Sequence, residues 1–242
     1  MKQRNTVKLQ NFDIDTFKFE DALEYIFEHK GFVVTINPEM IQFAKTNSEF
    51  AGVIQSADLV IPDGIGVELG LKILGHNVHR IAGIEFAKKL VEKFSQNSLP
   101  VAFVGAKPEI IEKAVANLKQ EYSGLNPVYV QDGYFKDEEK VLTELQKSCP
   151  KLVLVALGSP KQELFIKKAL EKLPDAVMIG IGGSFDVWSG VVKRAPVIYQ
   201  KLAIEWLYRT INEPKRVKRI FPTLPLFVLN VFKEKLFGEK HA

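Results

Sequence analysis

The sequence is poor in the residues that build disulfides and zinc sites. It contains one cysteine, Cys149, and four histidines, His29, His76, His79 and His241. A single cysteine excludes an internal disulfide and a cysteine-rich metal site, and the histidines lack the spacing of zinc ligands. We therefore predict no metal site and no cofactor, in a protein suited to a reducing compartment.

Long apolar runs and low-complexity segments are also absent. The basic start of the chain is not followed by the apolar stretch of a secretory signal. The apolar run at 221–232 contains two prolines and falls short of the roughly 20 residues needed to span a bilayer. With 46% hydrophobic and 26% charged residues, the composition is typical of a globular chain. We predict a cytoplasmic protein.

Positive charge is concentrated near the end of the chain. Residues 1–190 contain 22 basic and 25 acidic residues, whereas residues 191–242 contain 11 basic and 4 acidic residues. A local excess of this kind indicates an anionic partner for the tail, and we expect a membrane surface, not nucleic acid. We therefore divide the chain into a catalytic core, 1–190, and a basic membrane-binding appendage, 191–242.

Short apolar runs alternate with segments of helical apolar spacing throughout the core. Six of these runs are predicted strands: 32–36, 59–61, 101–104, 128–130, 152–157 and 176–181. This alternation predicts a Rossmann-like α/β fold, with a mostly parallel sheet, helices on both faces and ligands at the carboxyl ends of the strands. Beyond Gly190 we predict helices divided by Pro196, Pro214, Pro222 and Pro225.

Two motifs directly follow predicted strands. In IPDGIG, Asp63 is placed where a carboxylate would face a bound sugar, and Gly66 would open a helix with free amides. In ALGSPKQE, Gln162 would offer an amide to sugar hydroxyls. The local sequence is also compatible with a plain turn around Asp63, and with a helix start in which Ser159 is the N-cap.

A glycine-rich segment, GIGGSFDVWSGVVKRAP, occupies residues 180–196. It has too much glycine for a good helix or strand, and glycines let backbone amides approach phosphate. Its spacing matches neither the dinucleotide fingerprint nor a Walker A loop. We interpret it as a ligand-facing loop, the alternative being a plain connection to the appendage.

Two further groups of charged residues are notable, one acidic and one basic. Asp13 and Asp15 spell the Asp-x-Asp pattern of metal-dependent glycosyltransferases, but they precede the first predicted strand, and we assign them to the surface. In the appendage, Arg209, Arg216 and Arg219 are spaced to share one face of a helix, which would suit a diphosphate.

Several blocks occur together in a distinctive order. They are TINPE, IPDGIG, HRIAGIE, VGAKP, DGYF, ALGSPKQE, GGSFDVWSG with KRAP, and IEWLYR with EPKR. In this order, over about residues 32–220, the chain resembles the WecG/TagA/CpsF family of glycosyltransferases, and within it the branch of wall teichoic acid synthesis. The opening motif of the family is poorly matched in the first 30 residues.

The resemblance implies inverting, metal-independent transfer of N-acetylmannosamine from its UDP conjugate to the 4-hydroxyl of N-acetylglucosamine on undecaprenyl diphosphate, at the inner face of the membrane. It implies Asp63 as the catalytic base. It places sugar contacts at Thr35, Asn37, Arg80 and Gln162, and diphosphate contacts at Arg209, Arg216 and Arg219. We expect nucleotide contacts at Gly105, Tyr134, Gly182 and Gly183.

Two alternatives stay open at this stage. A related enzyme would use another UDP-sugar or another lipid-linked acceptor, as in capsule or common-antigen synthesis. A protein of a different class would keep the fold as a non-catalytic nucleotide-sugar-binding or membrane-scaffold protein. The resemblance is also compatible with a homo-oligomer.

Overall fold

A computed structural model describes residues 3–193, 195, 196, 199 and 217–238, without the side chains of 217–222. The strands are β1 Thr6–Leu9, β2 Phe12–Asp15, β3 Gly31–Ile36, β4 Leu59–Pro62, β5 Pro100–Gly105, β6 Asn126–Gln131, β7 Leu152–Ala156 and β8 Val177–Gly180. The helices are α1 Phe19–His29, α2 Pro38–Ala44, α3 Ser48–Gln55, α4 Ile65–Ile73, α5 Gly83–Gln96, α6 Pro108–Glu121, α7 Glu138–Lys147, α8 Lys161–Lys172, α9 Ser184–Trp188 and α10 Val217–Phe237.

Six strands form one parallel sheet in the order β4-β3-β8-β7-β5-β6. All six were predicted from their apolar runs, which are typical of buried strands in a parallel sheet. The edge strand β6 is an exception in its burial, since Val128 and Val130 are exposed. The predicted α/β Rossmann-like class is thereby confirmed. Since every strand points the same way, all six carboxyl ends lie at one edge of the sheet, where ligands bind in folds of this kind.

Helices cover both faces of this sheet. Successive strand residues point to opposite faces, so Val34 and Ile36 pack in one apolar cluster with α2, α3 and α8, while Val33 packs in the other with α1, α5 and α6. The sheet is therefore the middle layer of three.

A short antiparallel hairpin, β1–β2, precedes the parallel sheet and was not predicted. Its second strand carries Asp15, which is almost fully buried. The Asp15 carboxylate accepts hydrogen bonds from Arg4 Nε at 2.7 Å and from the Val60 backbone N–H at 2.7 Å. The assignment of Asp15 to the surface was therefore wrong. The residue fastens the hairpin to β4, while Asp13 is exposed and paired with Lys8.

The last described helix, α10, packs on the core instead of ending at the prolines. It runs through Pro222 and Pro225, so the prediction that these two residues divide separate helices was wrong. Phe227 and Val231 are buried in the same cluster as α2 and α4, and each contributes about 1.5–3 kcal/mol by burial. Their packing offsets the local cost of proline in a helix, about 3 kcal/mol.

Room for α10 is made by a glycine of α4. A Cβ atom at Gly70 would lie 3.1 Å from Phe227 Cζ. Polar contacts hold the same helix: the Gln10 backbone N–H donates to both Glu234 carboxylate oxygens at 3.0 Å, and Asn230 Nδ2 donates to Gln42 Oε1 at 2.9 Å. The inner face of α10 is thus an integral part of the core.

Candidate active site

Asp63 and Asn37 lie side by side at the carboxyl ends of β4 and β3. Ile36 and Pro62 are register partners, and the Asp63 backbone N–H donates to the Ile36 carbonyl at 2.8 Å. Both side chains are half-buried. Asn37 is also the N-cap of α2, where its Oδ1 accepts the Met40 N–H at 3.0 Å. This fixes the orientation of the amide, so its NH₂ group is directed away from the helix end.

The backbone at Asp63 turns sharply into α4. Gly64 is the N-cap with φ of +81°, a conformation that glycine adopts without strain, and it makes no side-chain capping bond. The helix begins at Ile65, one residue before Gly66. A Cβ atom at Gly66 would lie 2.6 Å from Pro38 Cγ, so the first turns of α2 and α4 pack tightly. The plain-turn interpretation accounts for Gly64 but not for the placement of a carboxylate beside Asn37.

Thr35 and Arg80 are brought to the same end of the sheet. The Ile81 N–H donates to the Pro62 carbonyl at 2.8 Å, which holds the segment before α5 beside β4. The Arg80 backbone N–H donates to Glu68 Oε2 at 3.0 Å. Thr35, half-buried in β3, lies against the start of α5, where a Cβ atom at Gly83 would come within 3.0 Å of its methyl group.

Gln162 lies at the other half of the edge, in the first turn of α8 after β7. Its side chain is only 5% exposed. Gln162 Oε1 accepts the Gly182 N–H at 3.1 Å, and Gln162 Nε2 donates to Glu163 Oε1 at 2.8 Å. Gln162 therefore links α8 to the loop after β8, and both of its polar atoms already have partners within the protein.

The helix start that contains Gln162 differs from the capped start considered above. The N-cap is Pro160, not Ser159, and no side chain caps the helix. Gln162 is thus the second residue of α8, and its side chain points inward because the first turn lies against β8. A Cβ atom at Gly180 would lie 2.5 Å from Gln162 Nε2. Only glycine leaves space there for the carboxamide.

Glu163, the neighbour of Gln162, was not among the residues predicted from the sequence. It is 2% exposed, and its Oε2 makes no hydrogen bond to any described residue. Burial raises the pKa of the Glu163 carboxyl above its usual range, while the side chains of Gln162 and Ser159 act in the opposite direction. An unsatisfied buried polar group costs about 1–3 kcal/mol. The sequence feature that could have revealed Glu163 is its position three residues before the apolar Ile166, which places both on the inner face of α8.

The glycine-rich segment contains a short helix, contrary to the prediction. α9 begins at Ser184, with Gly183 as its N-cap, and Gly182 has φ of +49°. The Ile181 N–H donates to the Val155 carbonyl at 2.8 Å, so this loop extends directly from the middle of the sheet. Gly182 and Gly183 thus lie at the edge where nucleotide contacts were expected.

Gly105 and Tyr134 lie at the carboxyl ends of β5 and β6. Gly105 has φ of +119°, and a Cβ atom there would lie 2.3 Å from the Ala156 carbonyl oxygen, so only glycine fits. The Gly133 N–H donates to the Ala106 carbonyl at 2.8 Å. Tyr134 follows with 68% of its side chain exposed at this edge, an open aromatic surface.

The helices that begin at this edge add positive potential to it. α2, α4, α6 and α8 each begin after a strand of the parallel sheet, and each N-terminus has the partial positive charge of the helix dipole. A diphosphate at the edge would therefore be stabilised by backbone N–H groups. Among the described residues, no group of three or more His, Cys, Asp or Glu side chains could hold a metal ion.

The appendage arginines are not part of this geometry. Arg209 and Arg216 lie outside the described residues, and Arg219 lies in α10 with its side chain outside them. Their predicted contact with a diphosphate stays a prediction. Over the described residues, no helix combines the length and the apolar character required of a bilayer span.

The fold and the residues at the carboxyl edge of the sheet together indicate a class of enzyme. A parallel sheet with a carboxylate, amides and glycine loops at its carboxyl edge is typical of enzymes that bind nucleotide-linked substrates. The family model described as "Glycosyl transferase WecG/TagA/CpsF family" matches residues 7–241 of the chain. The chain belongs to this family and is a glycosyltransferase, as the order of its sequence blocks predicted.

A curated relative gives the comparison more detail. Over 99% of this chain and 95% of the relative, the sequence is 38% identical to the N-acetylglucosaminyldiphosphoundecaprenol N-acetyl-beta-D-mannosaminyltransferase of Bacillus spizizenii. The match covers the sheet, the edge residues and the appendage alike.

Proposed function

We propose that this protein transfers N-acetylmannosamine from UDP-N-acetylmannosamine to the 4-hydroxyl of N-acetylglucosamine on undecaprenyl diphosphate, a step of wall teichoic acid linkage-unit synthesis. The proposal is supported by family membership and by the name of the relative from Bacillus spizizenii. The observation that carries it is the position of Asp63, a half-buried carboxylate beside Asn37 at the ligand-binding edge.

In this proposal Asp63 is the general base. Its carboxylate accepts the proton of the attacking 4-hydroxyl while the oxygen bonds to the anomeric carbon and the bond to UDP breaks. Attack from the face opposite UDP inverts the anomeric centre. The amide of Asn37, held by its N-cap bond, and the side chains of Thr35 and Arg80 would orient the sugars.

The departing UDP gains negative charge that the protein must stabilise. We assign this role to the N-termini of the edge helices, to backbone N–H groups of the loops that contain Gly105, Gly182 and Gly183, other than the Gly182 N–H that Gln162 accepts, and to the appendage arginines. Tyr134 would contact the nucleotide with its exposed ring. Because these groups supply the charge stabilisation, transfer should persist in excess EDTA. Activity that is lost with EDTA and restored by manganese would contradict this part.

The lipid-linked acceptor requires contact with a membrane surface, and α10 offers one. Its outward side chains are apolar: Leu226, Val228, Leu229, Phe232, Leu236 and Phe237 are all exposed. Lys233 and Lys235 accompany them. An apolar helix face with lysines suits binding in the plane of an anionic leaflet. We infer that the protein is peripheral at the inner face of the cell membrane and uses α10 as one contact.

The alternative transferase, which uses another UDP-sugar or acceptor, differs only in the groups that contact the sugars. The test is a transfer assay with purified protein, a soluble analogue of diphosphate-linked N-acetylglucosamine, and either UDP-N-acetylmannosamine or UDP-N-acetylglucosamine. We expect product from the first donor, linked at the 4-hydroxyl and inverted. Preferential use of the second donor would favour the alternative, and UDP binding without transfer from any donor would favour the non-catalytic class.

A further inference from the structure

Glu163 is a buried carboxyl group that the proposed chemistry does not use. It is 2% exposed, and it lies in the helix that follows β7, whereas Asp63, the proposed base, follows β4; two strands, β3 and β8, lie between β4 and β7. Its Oε2 has no hydrogen-bond partner among the described residues. A buried, unsatisfied oxygen is unfavourable for folding, so its presence calls for a role other than stability.

The contact between Glu163 and Gln162 bears on which way the Gln162 amide points. Gln162 Nε2 donates to Glu163 Oε1 at 2.8 Å, so the NH₂ group of Gln162 lies on the side of Glu163. The amide oxygen must then face the other way, where it accepts the Gly182 N–H at 3.1 Å. A flipped amide would place NH₂ against the Gly182 N–H, donor against donor.

The same amide is confined by the strand beneath it. Gly180 leaves space for the Gln162 carboxamide, because a Cβ atom there would lie 2.5 Å from Nε2. The amide therefore has a strand below it, a carboxyl group on one side and the loop N–H on the other. That loop includes Gly182, with φ of +49°, and Gly183, the N-cap of α9.

We propose that Glu163 is a positioning residue: it holds the Gln162 carboxamide in the orientation that accepts the Gly182 N–H, and so sets the loop 181–183 for the nucleotide of the donor. The inference rests on the proposed function only for the identity of the ligand. Glu163 itself does not contact the substrate, and it acts through Gln162.

Two substitutions separate this role from packing. Glu163→Gln keeps an oxygen that can accept from Gln162 Nε2, whereas Glu163→Met fills similar space without an acceptor. The control is Glu49→Met, an exposed first-turn glutamate of α3. The readouts are the Kd for UDP by calorimetry, the hydrogen-exchange rate of the Gly182 amide by NMR, and the Tm.

We expect Glu163→Met to raise the Kd for UDP by about 10-fold, the effect of losing one hydrogen bond, and to accelerate exchange at Gly182 while the Tm is unchanged or higher. Glu163→Gln should stay within about 3-fold of the parent in Kd, and Glu49→Met should match the parent. If Glu163→Met bound UDP as the parent does, if both Glu163 variants were equally defective, or if Glu163→Met did not fold, the inference would be overturned.

A double substitution tests whether Glu163 acts through Gln162. Adding Glu163→Met to Gln162→Ala should weaken UDP binding no further, because the amide to be positioned is already gone. Additive losses would contradict the inference. Parent protein that binds UDP but transfers no sugar would refute the proposed transferase function and leave this test intact. If the parent did not bind UDP, exchange at Gly182 would still decide the positioning role.

Discussion

The two halves of the sheet edge differ in how deeply their polar side chains are buried. We call the half after β3 and β4 the open half, and the half after β7 the closed half. After β3 and β4, Asn37 and Asp63 are half-buried and face the edge. After β7, Gln162 and Glu163 are almost fully buried and bonded to each other. Polar residues that follow parallel strands of one sheet therefore differ in their surroundings, since Asn37 and Asp63 come directly after their strands whereas Gln162 lies in the helix after β7. In our proposal, the open half carries out the chemistry and the closed half shapes a loop.

The largest effect, a loss of turnover, is expected from a substitution in the open half. Asp63→Asn keeps the size of the side chain but removes the proton acceptor, so turnover should fall by about 100-fold or more. Steady-state kcat with saturating donor and acceptor measures this, with the Tm as the control for folding. Turnover near that of the parent would remove Asp63 from the role of base.

The next largest effect, a rise in the donor KM, is expected from a substitution in the closed half. Gln162→Ala removes the acceptor of the Gly182 N–H and opens space over Gly180, so the loop 181–183 loses its support. We expect the donor KM to rise by about 10-fold, with a smaller change in kcat. Donor titration at saturating acceptor measures it. A fall in kcat alone would instead favour a direct contact between Gln162 and the reacting sugars.

A smaller effect is expected from substitutions on the outward, apolar face of α10, which belongs to neither half of the edge. Phe232 is 47% exposed, and Phe232→Asp with Leu236→Asp should reduce sedimentation with anionic vesicles by several-fold. The Kd for UDP should not change. Val130→Asp, at a residue of β6 that is 42% exposed, is the matched control. Equal binding by both proteins would exclude this face as a membrane contact.

The smallest effect is on stability. Burial raises the pKa of Glu163 above its ordinary value of 4.5. The unfolded chain therefore loses this proton first, and the contribution of Glu163 to stability falls as pH rises from about 4.5 through the folded-state pKa. Glu163→Gln removes this dependence. Its Tm relative to the parent should be a few degrees higher at pH 8 than at pH 5. A pH-independent difference would show that the carboxyl is not perturbed.

The parallel sheet was predictable because its strands are continuous apolar runs, and its edge was predictable because turn residues follow each run. The hairpin β1–β2 was not, since Thr6 and Lys8 are exposed and the strand is half polar. The continuity of α10 through Pro222 and Pro225 depends on the burial of Phe227 and Val231 against α2 and α4. That contact joins distant parts of the chain, so no local pattern shows it.

The sequence predicted where the site residues lie in the fold, but not which contacts their side chains make. Asp63 and Gln162 both follow predicted strands, and the sequence placed both at the edge. The difference in their surroundings arises in the first turn of α8, where the Gln162 side chain turns inward over Gly180. A side chain that pairs with its own neighbour and with a loop 20 residues later has no periodic signature. The division between the two halves therefore required the structure.

The affinity of UDP for Asp63→Asn and Gln162→Ala, measured side by side by calorimetry, tests that division most directly. We predict that Asp63→Asn binds UDP with the Kd of the parent, because the base meets only the acceptor hydroxyl. Gln162→Ala should bind UDP about 10-fold more weakly, because its loop is no longer held. If Asp63→Asn lost UDP binding while Gln162→Ala kept it, the open half would be the nucleotide site and the account would be contradicted.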